Sequence, residues 1–200
     1  MNDKTEKELI KSNILGKVLF SDSDIINRVS ELGKEITEDY KGKNLLLVSI
    51  LRGGVIFLAD LIKQIDLPLS IDFMSISSYG IDGTSTGVVR ITKDLDESIE
   101  GKDVLIVEDI IDTGLTISYL LRNLKSRFPE SLEICTLLDR DIRRIADINI
   151  KYIGFKIGEK YIVGYGLDYK QKLRNLQSIY ELNLDAVTKD IESLKNSSSV

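Results

Sequence analysis

Apolar and polar positions follow two different periods along this chain. Ile25, Val29, Leu32 and Ile36 recur every three or four residues. That stripe predicts a helix over 23–40, with the serines at 21 and 23 as caps. Residues 45–50 are instead a run that is apolar but for Ser49, followed by Leu51-Arg52-Gly53-Gly54. This is the pattern of a strand buried on both faces, a turn, and a helix to about residue 62. Another strand is expected over 69–76, after Pro68. A second run, 104–107, stops abruptly at Glu108 and Asp109. After Asp112, Thr113, Gly114 and Thr116 the helical period resumes at Ile117, Leu120, Leu121, Leu124 and Phe128, and Pro129 ends it. Residues 132–138 form a third run. Shorter ones at 15–21, 152–155 and 161–165 predict small strands. Leu184, Val187, Ile191 and Leu194 predict a C-terminal helix at about 183–195.

Strands that alternate with helices over 44–138 predict an α/β fold, a mainly parallel twisted sheet flanked by helices. With 200 residues, a single domain over 1–196 is expected. Its core spans about 40–140. A small hood subdomain comes from 1–22 and 141–180 and is expected over the carboxyl edge of the sheet, where ligands of such folds bind. Residues 77–87 read as one long loop of small and turn residues, a length that points to function inside a compact domain. Residues 197–200 read as a flexible tail.

Composition narrows the chemistry. There is no histidine, so Ser-His-Asp and Cys-His catalysis and histidine metal sites are excluded. Proton transfer then falls to Asp, Glu, Lys, Tyr or Cys, and a metal site would be all-oxygen, which favours Mg²⁺. The single cysteine, Cys135, permits no intrachain disulfide, suits a reducing cytosol, and reads as a core residue. A net charge of −5 argues against nucleic-acid binding driven by phosphate neutralisation. No apolar run reaches membrane-spanning length, and the polar N-terminus carries no signal core. A cytoplasmic protein without membrane or nucleic-acid partners is expected.

The segment 108–116 concentrates the candidate chemistry. A strand, a tight polar loop and a helix start leave backbone N–H groups and the positive end of the helix dipole facing an anion. Neighbouring carboxylates suit sugar hydroxyls or hydrated Mg²⁺.

The run Val-Leu-Ile-Val-Glu-Asp-Ile-Ile-Asp-Thr-Gly-Leu-Thr at 104–116 resembles the phosphoribosyl-pyrophosphate (PRPP) binding motif of the type I phosphoribosyltransferases. Five separated motifs in order, over roughly 15–180, resemble the hypoxanthine-guanine branch. The resemblance implies a type I phosphoribosyltransferase-like fold with a hood. It also implies Mg²⁺-dependent transfer of 5-phosphoribosyl from PRPP to N9 of hypoxanthine or guanine, giving IMP or GMP and pyrophosphate. It assigns the PRPP phosphate and ribose to Glu108, Asp109, Ile110, Ile111, Asp112, Thr113, Gly114, Leu115 and Thr116, with Asp112 as the base for the purine N7 proton. Pyrophosphate falls to Arg52, Gly53, Ser78, Tyr79 and Arg174, and the loop holding Arg52 often carries a non-proline cis peptide in this family. The purine falls to Arg140, Tyr161, Ile162 and Asp168, with Tyr161 stacking on it. Glu108, Asp109 and Asp168 would hold the metal. Family members are homodimers or homotetramers, and the helices at 23–40 and 54–62 are the candidate interfaces.

One position departs from the family pattern. Arg140 stands where the family usually has a lysine that donates to the purine 6-oxo group. Arginine is longer and planar, so xanthine or another base stays open as the substrate. A regulatory, RNA-binding member of the same fold is the rival reading.

Overall fold

The computed structural model describes residues 4–79 and 88–197. The chain divides into two compact units, Ile26–Gly158 and Met1–Ile25 together with Glu159–Val200.

The apolar runs of the larger unit become the strands of one six-stranded sheet. These are β2 (Leu45–Leu51), β3 (Ser70–Tyr79), β4 (Val88–Lys93), β5 (Asp103–Ile111), β6 (Ser131–Asp139) and β7 (Tyr152–Lys156). Their spatial order is β4-β3-β2-β5-β6-β7. Every pairing is parallel except β3 with β4. Burial on both faces explains the near-continuous apolar runs: Leu46 to Ser49 in β2 and Val104 to Val107 in β5 are all buried. From β2 the chain steps to β3 on one side, and from β5 to β6 on the other. The order therefore reverses between β2 and β5, and ligands of open α/β sheets bind at that opening, beyond the carboxyl ends of the strands.

Helix α4 (Leu115–Lys125) buries Ile117, Leu120 and Leu124 in one cluster with Val48, Val104, Ile106 and Ile134. The spacing 117, 120, 124 is one face of a helix, so the start of α4 is anchored to the sheet. Helix α3 (Gly54–Leu61) buries Phe57, Leu58 and Leu61. Helix α2 (Asp22–Asp39) buries Ile25, Val29, Leu32 and Ile36, the stripe read from the sequence. Cys135 is a free, buried thiol, and burial pushes its pKa up.

The smaller unit holds an antiparallel sheet of β1 (Leu15–Phe20), β9 (Ile179–Leu182) and β8 (Ile162–Val163), in the order β1-β9-β8. Helix α1 (Glu6–Lys11) opens with a capping box between Thr5 and Glu8. Leu9, Leu15, Val163, Tyr180 and Val187 share its core. Helix α5 (Leu184–Ser197) closes the chain. Among the described residues, no helix is long and apolar enough to cross a membrane.

Several boundaries differ from expectation. Residues 77–79, predicted as loop, extend β3, because they pair with 88–90 of β4. Strand β5 runs on through Glu108 to Ile111 rather than stopping at the acids, since Glu108, Ile110 and Ile111 pair with Thr136, Leu138 and Asp139. The predicted hood began at 141, but 141–158 belong to the larger unit, because β7 pairs with β6 at the sheet edge. The predicted 161–165 strand is only two residues long, because Gly164 and Tyr165 turn at positive φ. Ser197, expected in the tail, is the last residue of α5. Residues 80–87 of the predicted loop, 198–200 of the tail, and the side chains of Ser78 and Tyr79 lie outside the described residues.

Candidate active site

Two loops meet at the opening between β2 and β5. The first is the turn after β2, where the Leu51–Arg52 peptide is cis. Arg52 is exposed and Gly53 is buried. A Cβ placed on Gly53 would lie 1.6 Å from Asp109 Oδ2. Only a residue without a side chain fits there while the Asp109 carboxylate holds its place. The second is the loop after β5, which together with the end of that strand lines a cavity of about 190 Å³ with Glu108, Ile110, Ile111, Asp112, Thr113, Gly114 and Thr116.

The end of β5 carries the two acids. Asp109 Oδ1 accepts the Ile110 N–H at 2.8 Å. Burial first, and then the charge of Asp109, push the Glu108 carboxyl well above the ordinary glutamate range. Gly114 caps α4 at φ +77°, a left-handed conformation that favours glycine and turns the chain from loop into helix. At the helix start the Leu115 N–H donates to Thr113 Oγ1 at 3.4 Å, and a helix N-terminus carries backbone N–H groups suited to an anion.

Asp112 is held from three directions. Arg140 Nη1 donates to its Oδ2 at 3.2 Å. The Arg143 guanidinium approaches the same oxygen at 3.6 Å. Arg144 Nε donates to its main-chain carbonyl at 3.1 Å. Asp112 Oδ1 is buried and has no hydrogen-bond partner among the described residues. Such an atom lacks only a donor, which a ligand can bring. Arg144 also forms a buried ion pair with Asp139. Sequence reasoning missed Asp139. The signal was present: an acid directly after Leu137 and Leu138 at the end of a strand, next to Arg140 and five residues before Arg144.

The smaller unit positions the other predicted residues. Tyr161 is 46% exposed, a large aromatic ring left open, with Tyr169 edge-on at 5.9 Å. Ile162 is buried in β8, and its ladder partner is Glu181. Asp168 pairs with Arg174 at 2.6 Å and accepts the Gln171 N–H at 2.7 Å. Arg174 also donates to the Gly166 carbonyl at 2.6 Å. The structure thus brings Gly53 to Asp109, Arg140 to Asp112, and Asp168 to Arg174.

A sheet that opens at its topological switch, with paired acids on one strand and a helix start beyond it, defines a helix-flanked α/β protein with its candidate site at the carboxyl ends of the strands. The chain belongs to the family described as the phosphoribosyl transferase domain, whose model matches residues 19–170. It is 54% identical over 175 residues to a hypoxanthine-guanine phosphoribosyltransferase of Staphylococcus epidermidis, covering 88% of this chain and 98% of that protein. A hypoxanthine-guanine phosphoribosyltransferase of Mycobacterium avium is 49% identical over 172 residues, covering 83% of this chain and 85% of the relative. The crystal structure of a hypoxanthine phosphoribosyltransferase from Staphylococcus aureus superposes with a TM-score of 0.84 at 52% identity, covering 88% of this chain and 96% of that one. The expected fold class and family are borne out.

Proposed function

We infer that this chain transfers the 5-phosphoribosyl group of PRPP to N9 of hypoxanthine or guanine, forming IMP or GMP and pyrophosphate in purine salvage. The observation that carries this reading is the close approach of Gly53 to the Asp109 carboxylate. It brings a pyrophosphate-binding turn and a ribose-binding acid together at the β2/β5 opening.

The chain's own groups divide the work. The amides of 112–116, with the hydroxyls of Thr113 and Thr116, hold the 5′-phosphate. Glu108 and Asp109 hold the ribose hydroxyls. The backbone at Gly53, together with Arg52, Ser78, Tyr79 and Arg174, holds the pyrophosphate. Tyr161 stacks on the purine, with Ile162, Asp168 and Arg140 as further purine-site residues. These grips fix C1′ in line with N9, which supplies much of the rate. As the C1′–N9 bond forms and the bond to pyrophosphate breaks, Asp112 takes the proton from N7.

The donor set fits Mg²⁺. Glu108 and Asp109 offer oxygen only, and their mutual repulsion is of the kind a cation relieves. Bound Mg²⁺ would neutralise charge on the departing pyrophosphate, and Glu108 and Asp109 are the residues of the larger unit that would hold it. A homodimer or homotetramer is part of the proposal, supported by the exposed Ile26 on α2 and Ile56 on α3. The buried free Cys135 suits a cytoplasmic location.

The reading is tested with a spectrophotometric assay of hypoxanthine, guanine, xanthine, adenine and uracil against PRPP, with and without EDTA. Turnover of hypoxanthine or guanine that EDTA abolishes is expected. Turnover of only adenine or uracil would mean that the purine site is assigned wrongly.

A further inference from the structure

Arg140 marks the chain's departure from the pattern it otherwise resembles, and the structure gives two nitrogens of its guanidinium separate partners. Arg140 is buried, at 7% exposure. Its main-chain N–H donates to the Ile111 carbonyl at 2.9 Å, which fixes where the side chain begins. Its Nε donates to the Gly158 carbonyl at 3.1 Å, and its Nη1 donates to Asp112 Oδ2 at 3.2 Å. A guanidinium presents diverging donors in one rigid plane, whereas an ammonium is a single point on a flexible stem.

The loop backbone does not depend on this side chain. The Asp112 carbonyl is held by Arg144. The Thr113 carbonyl accepts from the N–H groups of Ile145 and Ala146, at 2.9 and 3.1 Å. What Arg140 fixes is the carboxylate. One oxygen of Asp112 is tied to guanidinium, while the other is buried without a partner.

Resting on the function proposed above, we propose that Arg140 is a positioning residue: by tying Asp112 Oδ2 to Gly158 through one guanidinium, it holds in place the carboxylate that takes the N7 proton of the purine. For the proton transfer the arginine therefore acts through Asp112, and that part of its contribution vanishes when Asp112 can no longer accept a proton.

A kinetic double-mutant cycle of Arg140→Gln with Asp112→Asn tests this, using hypoxanthine and PRPP. Arg140→Gln is expected to lower kcat about tenfold, the scale of a slightly misdirected group, with KM for PRPP within about twofold. In the Asp112→Asn background the same change should cost less than about twofold. Arg140→Lys keeps the charge and the buried stem. It should lose about fivefold in kcat, and it serves in the cycle if the glutamine variant does not fold. Equal losses in both backgrounds would overturn the proposal, as would a raised KM for the purine with kcat intact. The unmutated chain is assayed first: no turnover of any 6-oxopurine strikes the proposed function itself, whereas turnover with additive losses strikes only the role of Arg140.

Discussion

Asp112→Asn is expected to lower kcat by about 10²- to 10⁴-fold, the range of a lost general base, while PRPP affinity changes by less than about threefold. The asparagine carbonyl can still accept from Arg140 at the Oδ2 position. That puts the amide NH₂ where Oδ1 now lies. The amide is not a base at neutral pH, so no group is left to take the N7 proton. The loop should keep its shape, because the Asp112 and Thr113 carbonyls are held by Arg144, Ile145 and Ala146. Steady-state kinetics gives kcat, and calorimetry gives the PRPP affinity. Turnover close to that of the unmutated chain would remove Asp112 from the role of base.

Gly53→Ala is expected to reduce kcat/KM for PRPP by about 100-fold, the cost of displacing a positioned group by an ångström or so. The backbone at Gly53 has φ −61° and ψ −44°, which alanine adopts without strain. Space is the whole problem: the new methyl would lie 1.6 Å from Asp109 Oδ2. The carboxylate is the mobile end of a short side chain, so it swings away and the fold survives. Thermal unfolding should shift by no more than a few degrees, while PRPP use collapses. A collapse in melting temperature of the same variant would mean that Gly53 serves the fold rather than the site.

Much of this was readable because buried parallel strands leave a plain mark. The runs at 45–50, 104–107 and 132–138 became β2, β5 and β6 within a few residues, and Gly53, Glu108, Asp109 and Asp112 stood out at their ends. Strand β4 was not readable. Its sequence Val-Val-Arg-Ile-Thr-Lys lacks strict alternation, and only its partner β3 makes it a strand. Strand β9 is four residues, Ile-Tyr-Glu-Leu, too short for its period to show. Helix α1 left a sign that went unused, the Thr-x-x-Glu of its capping box.

The coupling of Arg140 to Asp112 lay further out of reach. The two are 28 residues apart. They meet because Ile111 pairs with Asp139 in the parallel ladder, which sets the next residue of each strand side by side. Strand register depends on contacts across the whole sheet, and no local pattern states it. The departure from lysine was visible in the sequence; its partners were not.

The most direct test of the account is product analysis of one reaction containing the chain, Mg²⁺, PRPP and hypoxanthine, followed by phosphorus NMR and mass spectrometry. The account predicts N9-linked IMP and pyrophosphate appearing one for one as PRPP disappears. PRPP that binds but yields no nucleotide with hypoxanthine or with guanine would contradict it.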